Sequence, residues 1–68
     1  MFDDLDSRFT YHPPKSDQVI RYGYIRDAGK GLAELIDKHC PDSREKALAI
    51  TRLEETVMWA NASIARNE

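Results

Sequence analysis

The chain has 68 residues, 41% of them apolar and 32% charged, with ten Lys plus Arg against twelve Asp plus Glu and a formal net charge of −2. One small domain of this length buries only about 60% of its unfolded surface, and a single cysteine excludes an internal disulfide as compensation. No apolar run reaches the roughly 18 residues of a membrane span, and the acidic start is the reverse of a basic signal peptide, so the expectation is a soluble, cytoplasmic protein whose copies complete one another's core.

Charge is uneven along the chain: residues 1–7 sum to −3, 8–30 to +3, 31–45 to −2 and 46–68 to zero. One basic stretch in a mildly acidic chain is poorly suited to long nucleic acid, whose affinity comes from many phosphate contacts. It suits a small anion with few phosphates. Residues 1–16 hold two of the three prolines and the aromatic pair Phe9 and Tyr11 without helical period. They read as an acidic tip with a short turn or helix, then an extended arm that Pro13-Pro14 stiffens by keeping His12 out of α geometry.

From residue 17 the pattern turns helical. Ser16 or Asp17 can cap free N–H groups, and Ile25, Ala28, Leu32 and Leu35 follow a three-then-four spacing. A helix over 17–39 would be about 34 Å long. Gly23, Gly29 and Gly31 fall inside it, each costing roughly 0.5–1 kcal/mol against Ala, and are either tolerated surface positions or places of close approach. Cys40-Pro41-Asp42-Ser43 breaks the pattern, with Pro41 suited to the first turn of a new helix and Asp42 and Glu45 at capping-box spacing. The second helix is expected over 42–66, with Ile50, Leu53, Val57, Ala60 and Ile64 as its stripe. A short link between two long helices implies an antiparallel hairpin, giving an all-α single domain over 1–68. Ala47, Met58, Trp59, Ala62 and Ala65 are left over on the flanks of the second helix, where they are candidates for subunit contacts.

Catalytic constellations are missing from the pattern. His12, His39 and Cys40 lack metal-ligand spacing, Glu54 and Glu55 diverge by about 100° on a helix, and Gly29-Lys30-Gly31 lies inside a helix rather than in a phosphate loop. The glutamates read as a solvated face, or as partners for Arg52 or for a second subunit. The chain reads as a non-enzyme without metal or cofactor. What remains is Tyr11 with His12 on a stiff arm, and Arg26 with Lys30 four apart on one helix face. Stacking on a base contributes roughly 1–3 kcal/mol, and arginine holds phosphate oxygens through two parallel N–H bonds. Base plus phosphate describes a nucleotide. The competing reading packs Tyr11 on the helices and pairs Arg26 with Asp27, Asp37 or the acidic start, leaving a structural or regulatory hairpin for a protein partner.

The stretch from Phe9 to Gln18, Arg21-Tyr22 with Ile25-Arg26, and above all the run from Ser43 to Arg66 with Met58-Trp-Ala-Asn-Ala62 resemble the small phage proteins of the type-two anti-CBASS family, cyclic-oligonucleotide sponges built on a helical hairpin. The resemblance covers about residues 8–66 and is most specific in the second helix. It implies a homohexamer that binds cyclic dinucleotides such as 3′,3′-linked cyclic GMP–AMP between subunits, without cleaving them, and so blocks activation of the host effector. It also implies that Tyr11 stacks on the base and Arg26 holds the phosphates, where some relatives carry lysine. Some members hold cyclic trinucleotides near a threefold, and there Arg66 is the residue carried over.

Overall fold

Four residues, 40–43, separate two long helices that fold back on one another. The computed structural model describes residues 5–68, in the order α1 (Leu5–Phe9), α2 (Gln18–His39) and α3 (Arg44–Asn67), with no strand among the described residues. Residues 1–4 of the expected acidic tip lie outside them. Three contacts give an antiparallel register: Gln18 Nε2 to the Ile64 carbonyl at 3.5 Å, Gly29 against the Val57 side chain, and Lys46 Nζ to Asp37 Oδ1 at 3.1 Å.

The α3 side of the seam is the expected stripe, for Ile50, Leu53, Val57, Ala60 and Ile64 are all half-buried. The α2 side differs from expectation. Gln18, Tyr22, Ile25, Gly29, Ala33 and Ile36 face the seam as buried or half-buried residues, whereas Ala28, Leu32 and Leu35 are exposed. Gly29 supplies the reason: a Cβ built there would stand 2.5 Å from Val57 Cγ2, so only glycine admits the valine methyl. The helices cross at that notch, and the leucine stripe is turned onto a flank. Gly23 and Gly31 have nothing within 4 Å of such a Cβ, so close approach applies to one glycine of the three.

Both helix starts depart from the expected caps. Asp17 precedes α2 in αR geometry and makes no side-chain cap, and its carboxylate instead pairs with Arg21 at 3.3 Å. At α3 the cap is Ser43, extended at φ −168° and ψ 167°, whose Oγ accepts the Lys46 N–H at 3.1 Å. Asp42 and Glu45 therefore form no capping box, because the Asp42 carboxylate is taken by Lys46 Nζ at 2.9 Å. Pro41 stands outside the helix, and its carbonyl accepts the Ser43 hydroxyl at 3.1 Å. Lys46 also donates to the Asp37 carbonyl at 3.0 Å, so one lysine ties the end of α2, the connector and the start of α3 together.

The chain, with α1 and the segment before α2, spans 42 × 32 × 12 Å. Its least dimension is the diameter of one helix with side chains, about 10–12 Å, so the two long helices form one layer where stable domains stack two or three. Among the described residues no hydrophobic side chain is buried, and only Gln18 and Gly29 are. The chain exposes 5653 Å², against about 4,400 Å² for a compact monomer of 7.8 kDa. The excess of roughly 1,300 Å² exceeds one partner's share of a standard protein interface, about 800 Å². Among the described residues no helix is long and apolar enough to cross a membrane.

Candidate functional site

The crossing at Gly29 leaves a groove on each side of the seam, and the two grooves share Gly29, Leu53 and Val57 as their floor. One is walled by Arg26 and Lys30 from α2 and Glu54 from α3. The other is walled by Ile25, Ala28, Leu32 and Thr56. Because successive helical residues are about 100° apart, Arg26 and Lys30 fall together on one shoulder of the seam while Ala28 and Leu32 fall on the other. A single glycine thus sets a cationic groove and an apolar groove back to back.

Arg26 and Lys30 are exposed, and among the described residues neither makes a hydrogen bond or ion pair. Arg26 does not pair with Asp27 or Asp37. Two like charges four residues apart repel by a few tenths of a kcal/mol, a cost that a bound anion reverses. Glu54 shares the groove, whereas its neighbour Glu55 pairs with Arg52 at 3.2 Å. The groove has an apolar floor and two cationic donors on one wall, an arrangement that accepts phosphate at the wall and a flat group over Leu53 and Val57.

Tyr11 and His12 lie away from this groove. Residues 11–15 carry no helix or strand, and His12 Nε2 is 2.7 Å from the Ser7 carbonyl, which bends that segment back toward α1. Tyr11 is 79% exposed, so it does not pack on its own helices. Arg66 is exposed in the last turn of α3. A single chain therefore brings together Arg26 and Lys30, and leaves Tyr11, His12 and Arg66 apart from them. Met58 and Trp59 are exposed on α3, while Ala62 and Ala65, expected to be wet, are half-buried.

A second polar cluster at the open end of the hairpin had no signature in the sequence. Gln18 is 2% exposed; its Oε1 accepts the Lys15 N–H at 2.9 Å and its Nε2 donates to Glu68 Oε1 at 3.3 Å. Arg21 grips the same carboxylate through both Nη atoms, with Nη1 to Oε2 at 2.8 Å, and Lys15 Nζ donates to the Glu68 main-chain oxygen. These bonds hold the Glu68 carboxyl down at about 2, first through Arg21 and then Gln18, and push the Arg21 guanidinium up. The partners lie 47 to 53 positions apart in the chain, beyond any local pattern.

Comparison with known proteins bears on all of this. No curated protein and no solved structure matches the chain. The profile of the Acb2/Tad1 hairpin domain matches residues 1–65, which takes in Tyr11, His12, Gln18, Arg21, Arg26, Lys30 and Glu54 and stops one residue short of Arg66. The chain belongs to the Acb2/Tad1 hairpin domain family, whose sponge-type proteins bind cyclic oligonucleotides against CBASS immunity.

Proposed function

We propose that copies of this chain, as a hexamer, sequester cyclic dinucleotides such as 3′,3′-linked cyclic GMP–AMP in the host cytoplasm and leave them intact, so that the CBASS effector is not activated. The observation that carries this reading is the groove in which Arg26 and Lys30 stand together over an apolar floor, neither of them in an ion pair or hydrogen bond among the described residues although Glu54 lines the same groove. Arg26 would hold the phosphates through two parallel N–H bonds, with Lys30 as a neighbouring point charge. Tyr11 and His12, on the stiff segment before α2, would come from a second copy to cover the base. A ligand with twofold symmetry suits an interface where each copy presents the same groove and the same tyrosine.

The area argument supports assembly. Leu32 and Leu35, 47% and 55% exposed, extend the apolar groove, and Met58 and Trp59 are exposed on α3. Copies of the chain would cover these surfaces. Arg66 is the residue we assign to cyclic trinucleotides, at a point where three chains meet. The action is stoichiometric, so it requires tight binding; a nanomolar Kd corresponds to about −12 kcal/mol. Preorganised stacking and charge-assisted contacts from two copies are of the size to reach it.

The test is calorimetry with 3′,3′-linked cyclic GMP–AMP, followed by denaturation and chromatography of the released ligand. One ligand per two chains, recovered intact, supports the sponge. Cleaved product would make the protein an enzyme, and no heat with this ligand or with a cyclic trinucleotide would leave a hairpin for a protein partner.

A further inference from the structure

The cluster at the open end of the hairpin is built like a binding site whose occupant happens to be part of the chain. We propose that Lys15, Gln18 and Arg21 form a second anion site, for one phosphate or phosphodiester group, and that the Glu68 carboxylate occupies it as an intramolecular competitor. This site uses none of the residues of the Arg26–Lys30 groove and does not rest on the dinucleotide reading.

Three observations carry the proposal. First, the donors converge and one of them is locked. Gln18 is 2% exposed, and because its Oε1 accepts the Lys15 N–H at 2.9 Å, its amide nitrogen must face the Glu68 carboxylate, 3.3 Å away. Arg21 adds two Nη donors to that carboxylate, and the Lys15 ammonium stands beside it, donating to the Glu68 main-chain oxygen. Arg21 Nε is buried without an acceptor among the described residues, a spare donor on the same guanidinium plane. A phosphodiester offers two unesterified oxygens, as the carboxylate does, and free phosphate offers four to a set of donors this rich.

Second, the charges match. Lys15 and Arg21 face Glu68 and Asp17, whose carboxylate lies 3.3 Å from Arg21. With Glu68 withdrawn, two cations and one carboxylate leave one net positive charge, which suits a single phosphodiester. Third, the occupant lies just outside the helix. Glu68 follows Asn67, the last residue of α3, so turning its side chain away breaks none of the backbone hydrogen bonds of the helix. The three donors lie within the stretch that matches the family, residues 1–65, and Glu68 lies beyond it.

The experiment uses the full chain and its Glu68→Gln variant, which keeps the shape of the side chain and removes its charge, with far-ultraviolet helicity as the check on folding. Inorganic phosphate and dimethyl phosphate are titrated separately at constant ionic strength, following the Arg21 Nε–H and Gln18 side-chain amide resonances by NMR. Binding about tenfold tighter in Glu68→Gln than in wild type, centred on those two signals, is the expected result, as follows from deleting a competitor held by charge-assisted bonds. Tighter binding of dimethyl phosphate than of inorganic phosphate would identify a diester site, and the reverse a site for free or terminal phosphate; either supports the cradle. A second variant, Arg21→Gln combined with Glu68→Gln, should lose the response. Equal binding in wild type and Glu68→Gln, or shifts spread over all the exposed arginines, would overturn the proposal. Because neither probe carries a base and neither variant touches Arg26, failure here leaves the dinucleotide reading standing.

Discussion

The two grooves beside the Gly29 crossing share a floor and differ in almost everything else. One is walled by Arg26, Lys30 and Glu54, the other by Ile25, Ala28, Leu32 and Thr56. In a single-layer hairpin no wall can be hidden by the chain itself, so each flank must be matched to something outside it. A charged flank can remain in water until an anion arrives, whereas exposed side chains such as Leu32 and Leu35 gain by being covered. The difference teaches how one thin fold separates a charged flank from an apolar one: a shift of one position in the helical period moves a residue from one flank to the other.

The largest break in that comparison should come from the charged flank. At a twofold site each substitution deletes two contacts, so Arg26→Ala, and likewise Tyr11→Ala, should weaken cyclic dinucleotide binding by about 100-fold at roughly 1.5 kcal/mol per contact. Calorimetry reads the loss, and light scattering should show the assembly unchanged; wild-type affinity in both variants would falsify the assignment of the site. Leu32→Asp on the opposite flank reverses the pattern. It should shift the assembly toward smaller species by removing about 1.5–3 kcal/mol of burial per leucine, with helix content retained by circular dichroism.

The shared floor gives the next effect. Gly29→Ala forces a methyl to within 2.5 Å of Val57 Cγ2, and overpacking of this kind costs about 1–3 kcal/mol. Denaturant unfolding should show that loss, together with weakened function of both flanks. Gly31→Ala is the control with the opposite sign: nothing lies within 4 Å of its Cβ, so helix propensity alone should stabilise by about 0.5–1 kcal/mol.

The smallest effect is one of pH and lies at the open end. The Glu68 carboxyl is held down at about 2 from its ordinary 4.5 by Arg21 and Gln18. A depressed carboxylate contributes its stability above the unfolded value, and that contribution is lost as the pH falls from about 4.5 toward 2. Carboxyl NMR should place the Glu68 transition near the lower figure, and amide exchange at the end of α3 should quicken over the same range. An ordinary titration would show that the clasp does not persist in solution.

Much of the fold is legible in local patterns. Ile50 to Ile64 carries a clean stripe, the Cys40-Pro41 break marks the connector, and Pro13-Pro14 lies in a stretch, residues 11–15, that carries no helix. The misplacements have one origin each. Ser43 rather than Asp42 caps α3 because Lys46 takes the Asp42 carboxylate, and that pairing also engages the far end of α2. The leucine stripe of α2 misses the seam because the notch at Gly29 decides which face turns inward. At the candidate site, Arg26 and Lys30 stand out by their four-residue spacing. Glu54 reads from sequence as a solvated face, and only the packing of α3 brings it to the same groove.

The sequence by itself determined two amphipathic helices, a tight antiparallel connection, a chain too short to bury its own core, and a cation pair on one helix face. These follow from periodicity, breakers and composition, which act within a few residues. Tertiary structure alone decided which glycine is a contact, which groove receives the cations, and that Gln18 and Arg21 close on Glu68. Those outcomes depend on the rotation and register of one helix against the other, set by a methyl entering a glycine notch and by bonds between residues about 50 positions apart.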